Sequence, residues 1–206
     1  FMTALYQKPL DLGCDIVIES LTKFVNGHSD VTAGCAVTNN EDIASEICLL
    51  QKNFGGILGV EDAWLILRGM KTMGLRMEKS VENARILTKF LETQDKIKKV
   101  YYPNLTSCKF YDIHTEQASS GGAVFSFEFF EQDDLKTFLK KIKIPIYAIS
   151  LGGVESIISH PATMSHACMS EEERLAQGVT QTLLRFSCGV EDTEDLIEDL
   201  EQALAD

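Results

Sequence analysis

Lys23 stands where an apolar run ends. Ile16, Val17 and Ile18 read as part of a buried strand over residues 15–20, which leads straight into Ser20, Thr22 and Lys23, with Gly27 soon after. Lysine resists burial, so either Lys23 is a surface residue closing a strand or its amine has a chemical role. A strand end that opens into a loop is where α/β proteins place ligands. Ser20 and Thr22 offer hydroxyls suited to phosphate oxygens. A lysine amine there can form a Schiff base with an aldehyde cofactor or a carbonyl substrate. Pyridoxal 5'-phosphate (PLP) asks for both: an amine for its aldehyde and donors for its phosphate.

Two further groups stand out. In "SLGGVES", residues 150–156, Gly152 and Gly153 allow a sharp turn and a close backbone approach, with Ser150, Glu155 and Ser156 around them. The stretch is an ordinary Gly-Gly turn or the wall of a ligand cleft. Arg185 lies in the middle of an alternating strand, where a guanidinium wants a carboxylate or a phosphate. Either one of the chain's own acids or a substrate carboxylate can supply the partner. His160 and His166 are six residues apart, the wrong spacing for two ligands on one helical face, so no metal site is expected.

The elements that must position these residues follow from periodicity. Residues 33–38 read as a second strand, and the spacing of Ile43, Ile47 and Leu50 predicts a helix over 41–53. Ala63, Ile66, Leu67, Met70, Met73, Met77, Val81, Ala84, Leu87 and Leu91 recur at three- and four-residue steps. This predicts a long amphipathic helix over 60–91, with a bend near Gly69 or Gly74. "VYYPNL" and "GAVFSFEFF" read as strands, with Phe125, Phe127 and Phe129 sharing one side. A short basic helix covers 136–141. "IPIYAIS" begins as a strand. In "TLLRFSCG", Leu184, Phe186 and Cys188 face one way and Leu183, Arg185 and Ser187 the other. Asp192 caps a last helix.

Composition sets the class. The 206 residues are 45% apolar with a net charge of −12, enough for a globular core. No basic block offers a phosphate-backbone footprint, so a nucleic-acid partner is not expected. No run is long enough to span a membrane, and the opening lacks a signal-peptide pattern. Six scattered cysteines with no Cys-x-x-Cys pair read as reduced core residues. The chain begins at Phe1 and goes straight into a turn and a strand-like run, the expectation for the later part of a longer chain.

Four stretches together, "ESLTKFVNGHSDVTAG", "EDAWLILRGMKTMGLRMEKSVENA", "ISLGGVESIISHPATMSH" and "TLLRFSCGVEDTEDLIEDLEQAL", resemble the Cys/Met-metabolism enzymes. That family includes cystathionine γ-lyase, cystathionine β-lyase, cystathionine γ-synthase and methionine γ-lyase. The resemblance implies an α/β protein of the aspartate-aminotransferase type (fold type I). Residues 1–70 would end a large PLP-binding domain, and 71–206 would form a smaller C-terminal α/β domain joined through the long helix. It implies that Lys23 holds PLP and moves protons, that Ser20 and Thr22 lie near the cofactor phosphate, and that Arg185 clamps the substrate α-carboxylate. Ser150 would lie beside that carboxylate, and Glu155 would occupy a position that separates lyase subtypes. The implied activity is a cytoplasmic, homotetrameric carbon–sulfur lyase acting on cystathionine or a related sulfur amino acid. A γ-replacement enzyme is the sibling alternative. A non-catalytic assembly domain is the alternative of another class, against which the intact Lys23, Thr22 and Arg185 count. The family's acidic partner for the pyridine nitrogen, its Gly-rich phosphate loop, its ring-stacking tyrosine and its Tyr-x-Arg pair have no match here. A poor catalyst is therefore expected of these residues alone.

Overall fold

The computed structural model describes residues 1–205. After a short helix α1 (Thr3–Tyr6), strands β1 (Val17–Ser20) and β2 (Gly34–Val37) pair antiparallel, with Val17 opposite Val37 and Ser20 opposite Gly34. Helix α2 (Glu41–Phe54) starts where Asn40 Oδ1 accepts from the Asp42 and Ile43 amides, satisfying two of the helix's orphan donors. It stops at Gly55, which takes the left-handed conformation open to glycine (φ 75°).

The predicted 60–91 helix is two helices, α3 (Val60–Met70) and α4 (Met73–Leu91), parted at Lys71 and Thr72. The break falls between the two glycines. Gly69 lies against Asn26, and its carbonyl accepts from Arg76 Nη2 (3.0 Å) and Thr72 Oγ1 (3.2 Å). The Thr72 amide also donates to it (3.2 Å), so the helix closes in a tighter turn and two side chains share the carbonyl.

The second half is one sheet. In chain order the elements are β3 (Ile97–Tyr101), α5 (Tyr111–Gln117), β4 (Val124–Phe129), α6 (Gln132–Lys141), β5 (Ile146–Tyr147), β6 (Ile157–Ser159), α7 (Glu171–Ala176), β7 (Leu183–Ser187) and α8 (Thr193–Leu204). The strand order is β3-β4-β7-β6-β5, antiparallel except for the β5–β6 pair. Phe125, Phe127, Phe129, Leu184 and Phe186 project from one face of the sheet and pack with Leu87, Leu91, Phe138, Leu196 and Leu200 of the covering helices. Phe125 and Phe186, opposite each other on β4 and β7, stack with centroids 5.1 Å apart. The alternation predicted for both strands holds.

Two expectations fail. The 15–20 strand is not buried: Ile18 is 83% exposed, and α2 buries no residue, leaving Leu49, Leu50 and Phe54 open. A sheet of two strands has no second layer to cover that face. The cysteines are not core residues either. Cys14, Cys48 and Cys168 are exposed, Cys35 and Cys108 half-buried, and Cys188 alone of the six is buried; all are free thiols. Among the described residues no helix is long and apolar enough to cross a membrane, and no group of His, Cys, Asp and Glu is placed to hold a metal ion.

Candidate functional site

Lys23 sits in a single tight turn, Leu21–Val25, that follows β1 and closes with the Asn26 amide donating to the Leu21 carbonyl (3.1 Å). One-turn π segments of this kind recur at functional sites. Lys23 departs from helical geometry (φ −92°, ψ −134°), which turns its half-buried side chain toward residues 148–156. There its Nζ donates to Ser150 Oγ at 3.1 Å.

Ser150 is the meeting point. Its carbonyl accepts from Arg185 Nη2 at 2.7 Å, so lysine and arginine reach the same residue from two elements. Ser150 has φ +113°, a region that side-chain-bearing residues rarely occupy and that costs about 1–3 kcal/mol. Strain of this size persists where surrounding contacts over-determine the backbone. Arg185 lies on β7, opposite Ser126 of β4 and Ser159 of β6, on the sheet face away from the phenylalanine core. Burial presses its pKa downward. Among the described residues no carboxylate pairs with it, so the ion-pair alternative raised by the sequence is not realised.

Lys23, Thr22, Ser150 and Glu155 line one cavity of about 670 Å³, together with Asp30 and Ile149. Ser20 does not join them. It lines a smaller space of about 260 Å³ that Lys23 also borders, beside Phe24 and Leu151. Arg185 opens into a third space of about 420 Å³ with Tyr101, His114 and Ser126. The Thr22 hydroxyl is committed to Ala33, the residue before β2: it accepts from the Ala33 amide (2.9 Å) and donates to the Ala33 carbonyl (3.2 Å). Glu155 is exposed at the cavity edge. His160, by contrast, is buried and held by Thr163 Oγ1 (2.8 Å) and the Gln181 carbonyl (3.0 Å).

Sequence reading missed the residues that hold this geometry. Arg76, 8% exposed, donates to the carbonyls of Phe24 (2.8 Å), Val25 (3.1 Å) and Gly69 (3.0 Å) and to Thr72 Oγ1 (3.1 Å). It anchors the turn directly after Lys23, and burial lowers its pKa. Its signal was an arginine three residues after Met73, on the flank of an apolar helix face. Gly27 (φ +77°) lies against the same guanidinium, which a Cβ would overlap. Gly152 was read as a close-approach glycine. Its neighbour proves to be the chain itself: a Cβ there would stand 2.7 Å from the Phe24 amide nitrogen and 3.0 Å from Lys23 Cα.

Comparisons with known proteins identify the family of the chain. The profile of the Cys/Met metabolism PLP-dependent enzyme family matches residues 1–205. The chain is 48% identical over 204 residues to a cystathionine beta-lyase of Bacillus subtilis, covering 99% of this chain and 52% of that protein. It is 45% identical over 202 residues to a cystathionine gamma-synthase of Escherichia coli, covering 98% and 52% respectively. The crystal structure of a cystathionine gamma-lyase from Micromonospora echinospora superposes with a TM-score of 0.96 at 34% identity, over 100% of this chain and 54% of that one. The chain thus spans about half the length of the curated relatives it matches. Matched over residues 1–205, it belongs to the Cys/Met metabolism PLP-dependent enzyme family.

Proposed function

We propose that this chain is the C-terminal half of a PLP-dependent carbon–sulfur lyase acting on cystathionine or a related sulfur amino acid. The observation that carries the reading is the convergence of Lys23 Nζ and Arg185 Nη2 on Ser150. The residues present fit the cofactor. Lys23 offers an amine at a cavity mouth, and the exposed Ser20 hydroxyl has no partner among the described residues. Thr22 contributes by fixing the turn to the residue before β2, since its hydroxyl proton already goes to the Ala33 carbonyl.

When bound, PLP supplies an electron sink for charge developing at the substrate α-carbon. Lys23 Nζ would hold the cofactor and then carry a proton from that carbon, with Ser150 Oγ steering the amine between tasks. Arg185 has one guanidinium nitrogen anchored on the Ser150 carbonyl, which leaves the rest of its fork for the substrate carboxylate. Glu155, across the cavity from Lys23, is the residue proposed to read the distal end of the substrate.

The open face of β1, α2 and α3 supports a companion segment completing the first domain. Ile18, Phe54, Val60, Trp64 and Leu67 are each more than half exposed there, an apolar extent that single domains rarely leave bare. Helix α4 touches both the Lys23 turn and the five-stranded sheet, which supports the division near Met70. A homotetramer belongs to the same proposal. The test is borohydride reduction of the protein with PLP, joined to its companion segment, followed by peptide mass analysis and a keto-acid assay with cystathionine. A phosphopyridoxyl mass on the Lys23 peptide together with keto-acid release supports the reading. An unmodified Lys23 in the completed protein sinks it, and replacement product without elimination product moves the protein to the γ-replacement enzymes.

A further inference from the structure

The segment 150–156 is held to β7 and its extension by one bond after another. Arg185 Nη2 donates to the Ser150 carbonyl at 2.7 Å. Two residues on, Ser187 Oγ accepts from the Gly152 amide at 2.9 Å, fully buried. Two further on, the Gly189 amide donates to Ser156 Oγ at 2.9 Å, and a Cβ at Gly189 would overlap the Val154 carbonyl. The Val190 amide donates to that same carbonyl at 2.8 Å. Glu191 then closes the series: its carboxylate accepts from both the amide and the hydroxyl of Ser156 (2.8 Å for the latter). The receiving strand is pinned in turn from α4. Buried Asn83 donates to the carbonyls of Gly189 (3.1 Å) and Glu191 (3.0 Å) and accepts from Thr193 Oγ1 (2.6 Å).

The pattern Arg185-x-Ser187-x-Gly189-x-Glu191 therefore acts as a ruler. Arg185 and Ser187, alternate residues of β7 that point the same way, engage residues 150 and 152; past the strand, Val190 engages Val154, and Gly189 and Glu191 both engage Ser156. The loop gains a defined path, and two features depend on it. Gly152 seats against the Lys23–Phe24 backbone, and Ser150 is kept at φ +113° with its Oγ on Lys23 Nζ and its carbonyl on Arg185.

We propose that Ser187 and the Ser156–Glu191 pair are positioning residues: by clamping the two ends of 152–156 they place Ser150 and orient Arg185 for the substrate carboxylate. What they do for substrate rests on the function proposed above. That they hold the loop does not.

The test has two arms. In the first, residue-resolved hydrogen exchange is measured on this chain and on Ser187→Ala, Glu191→Gln and Glu191→Ala. Loss of a buried hydrogen bond speeds exchange of its amide about tenfold. Gly152 should respond in the first variant and Ser156 in the Glu191 variants, with Glu191→Gln the milder because it keeps one acceptor. In the second arm the completed holoenzyme is assayed with cystathionine and titrated with its decarboxylated amine analogue. KM for cystathionine should rise about tenfold with kcat within about twofold, while affinity for the amine stays unchanged. Glu191→Gln should recover most of the KM that Glu191→Ala loses. Unchanged exchange in all three variants overturns the proposal. So does equal weakening of amino acid and amine, which marks a merely structural role. If Lys23 proves unmodified in the parent protein, the lyase reading fails, and the exchange arm still decides whether the ruler holds the loop.

Discussion

Arg76 is the residue whose loss should be felt most widely. Its guanidinium is buried without an acidic partner among the described residues, and four oxygens take its place: three carbonyls and a threonine hydroxyl. A hydrogen bond from a charged donor contributes about 1.5–3 kcal/mol, so four bonds give a gross gain of about 6–12 kcal/mol. Burying the guanidinium cancels several kcal/mol of that. A net stabilisation of about 3 kcal/mol remains. Arg76→Met keeps the apolar stem and removes the fork. It should lower stability by that amount, or about 6–12 °C in Tm for a chain of this size. Arg76→Lys should restore less than half, because one ammonium cannot reach acceptors spread over two segments. Urea denaturation followed by far-ultraviolet circular dichroism measures both. Gly27→Ala adds a check: it places a methyl against the guanidinium, so its cost should shrink in the Arg76→Met background. An Arg76→Met variant within about 1 kcal/mol of the parent, or a lysine variant as stable as arginine, would refute the accounting.

Three other outcomes are expected. Burial alone would raise the Glu128 pKa, but hydrogen bonds from Thr180, Lys98 and Tyr101 hold it below the ordinary glutamate value. A lowered folded pKa stabilises fully above about pH 4.3 and is lost as pH falls through the folded value. Glu128→Gln should therefore cost about 1–3 kcal/mol at pH 7, with the gap narrowing below pH 4 in denaturation curves; a constant gap contradicts the assignment. Ser150→Gly removes the penalty of φ +113° that Ser150→Ala retains, so the glycine variant should be more stable than the alanine variant by about 1–2 kcal/mol in the same assay. Equal stabilities would mean that Ser150 is unstrained. Under native conditions a thiol reagent should modify Cys14, Cys48 and Cys168 quickly. Cys188, buried and with its thiol pKa pushed up by that burial, should react only on unfolding; rapid labelling of Cys188 would place it outside the core.

Much of the second half was legible from one dimension. Phe125, Phe127 and Phe129, and Leu184, Phe186 and Cys188, alternate because a strand has period two, and their shared face could be read without knowing the partner strand. Lys23 and Arg185 stood out for a related reason: a cation beside or within an apolar run violates the local pattern, and such violations gather at functional sites. Asp192 announced a helix because capping is a bond between near neighbours.

What the sequence could not decide was anything set by a partner far along the chain. The long helix breaks at Lys71 because Arg76 and Thr72 claim the Gly69 carbonyl while Arg76 also reaches back to the turn after Lys23, about fifty residues away. Ile18 looked buried because its neighbours are apolar, yet burial depends on a covering layer that local pattern does not encode. Thr22 looked free for a phosphate until the Ala33 backbone took both sides of its hydroxyl. Ser187 and Glu191 are unremarkable polar residues in one dimension. Pairing of β6 with β7 and a backbone held at φ +113° bring Lys23 and Arg185, 162 positions apart, onto one serine. Residue types and periods carried the chemistry on offer; long-range hydrogen bonds, which have no signature in local order, decided where it is assembled.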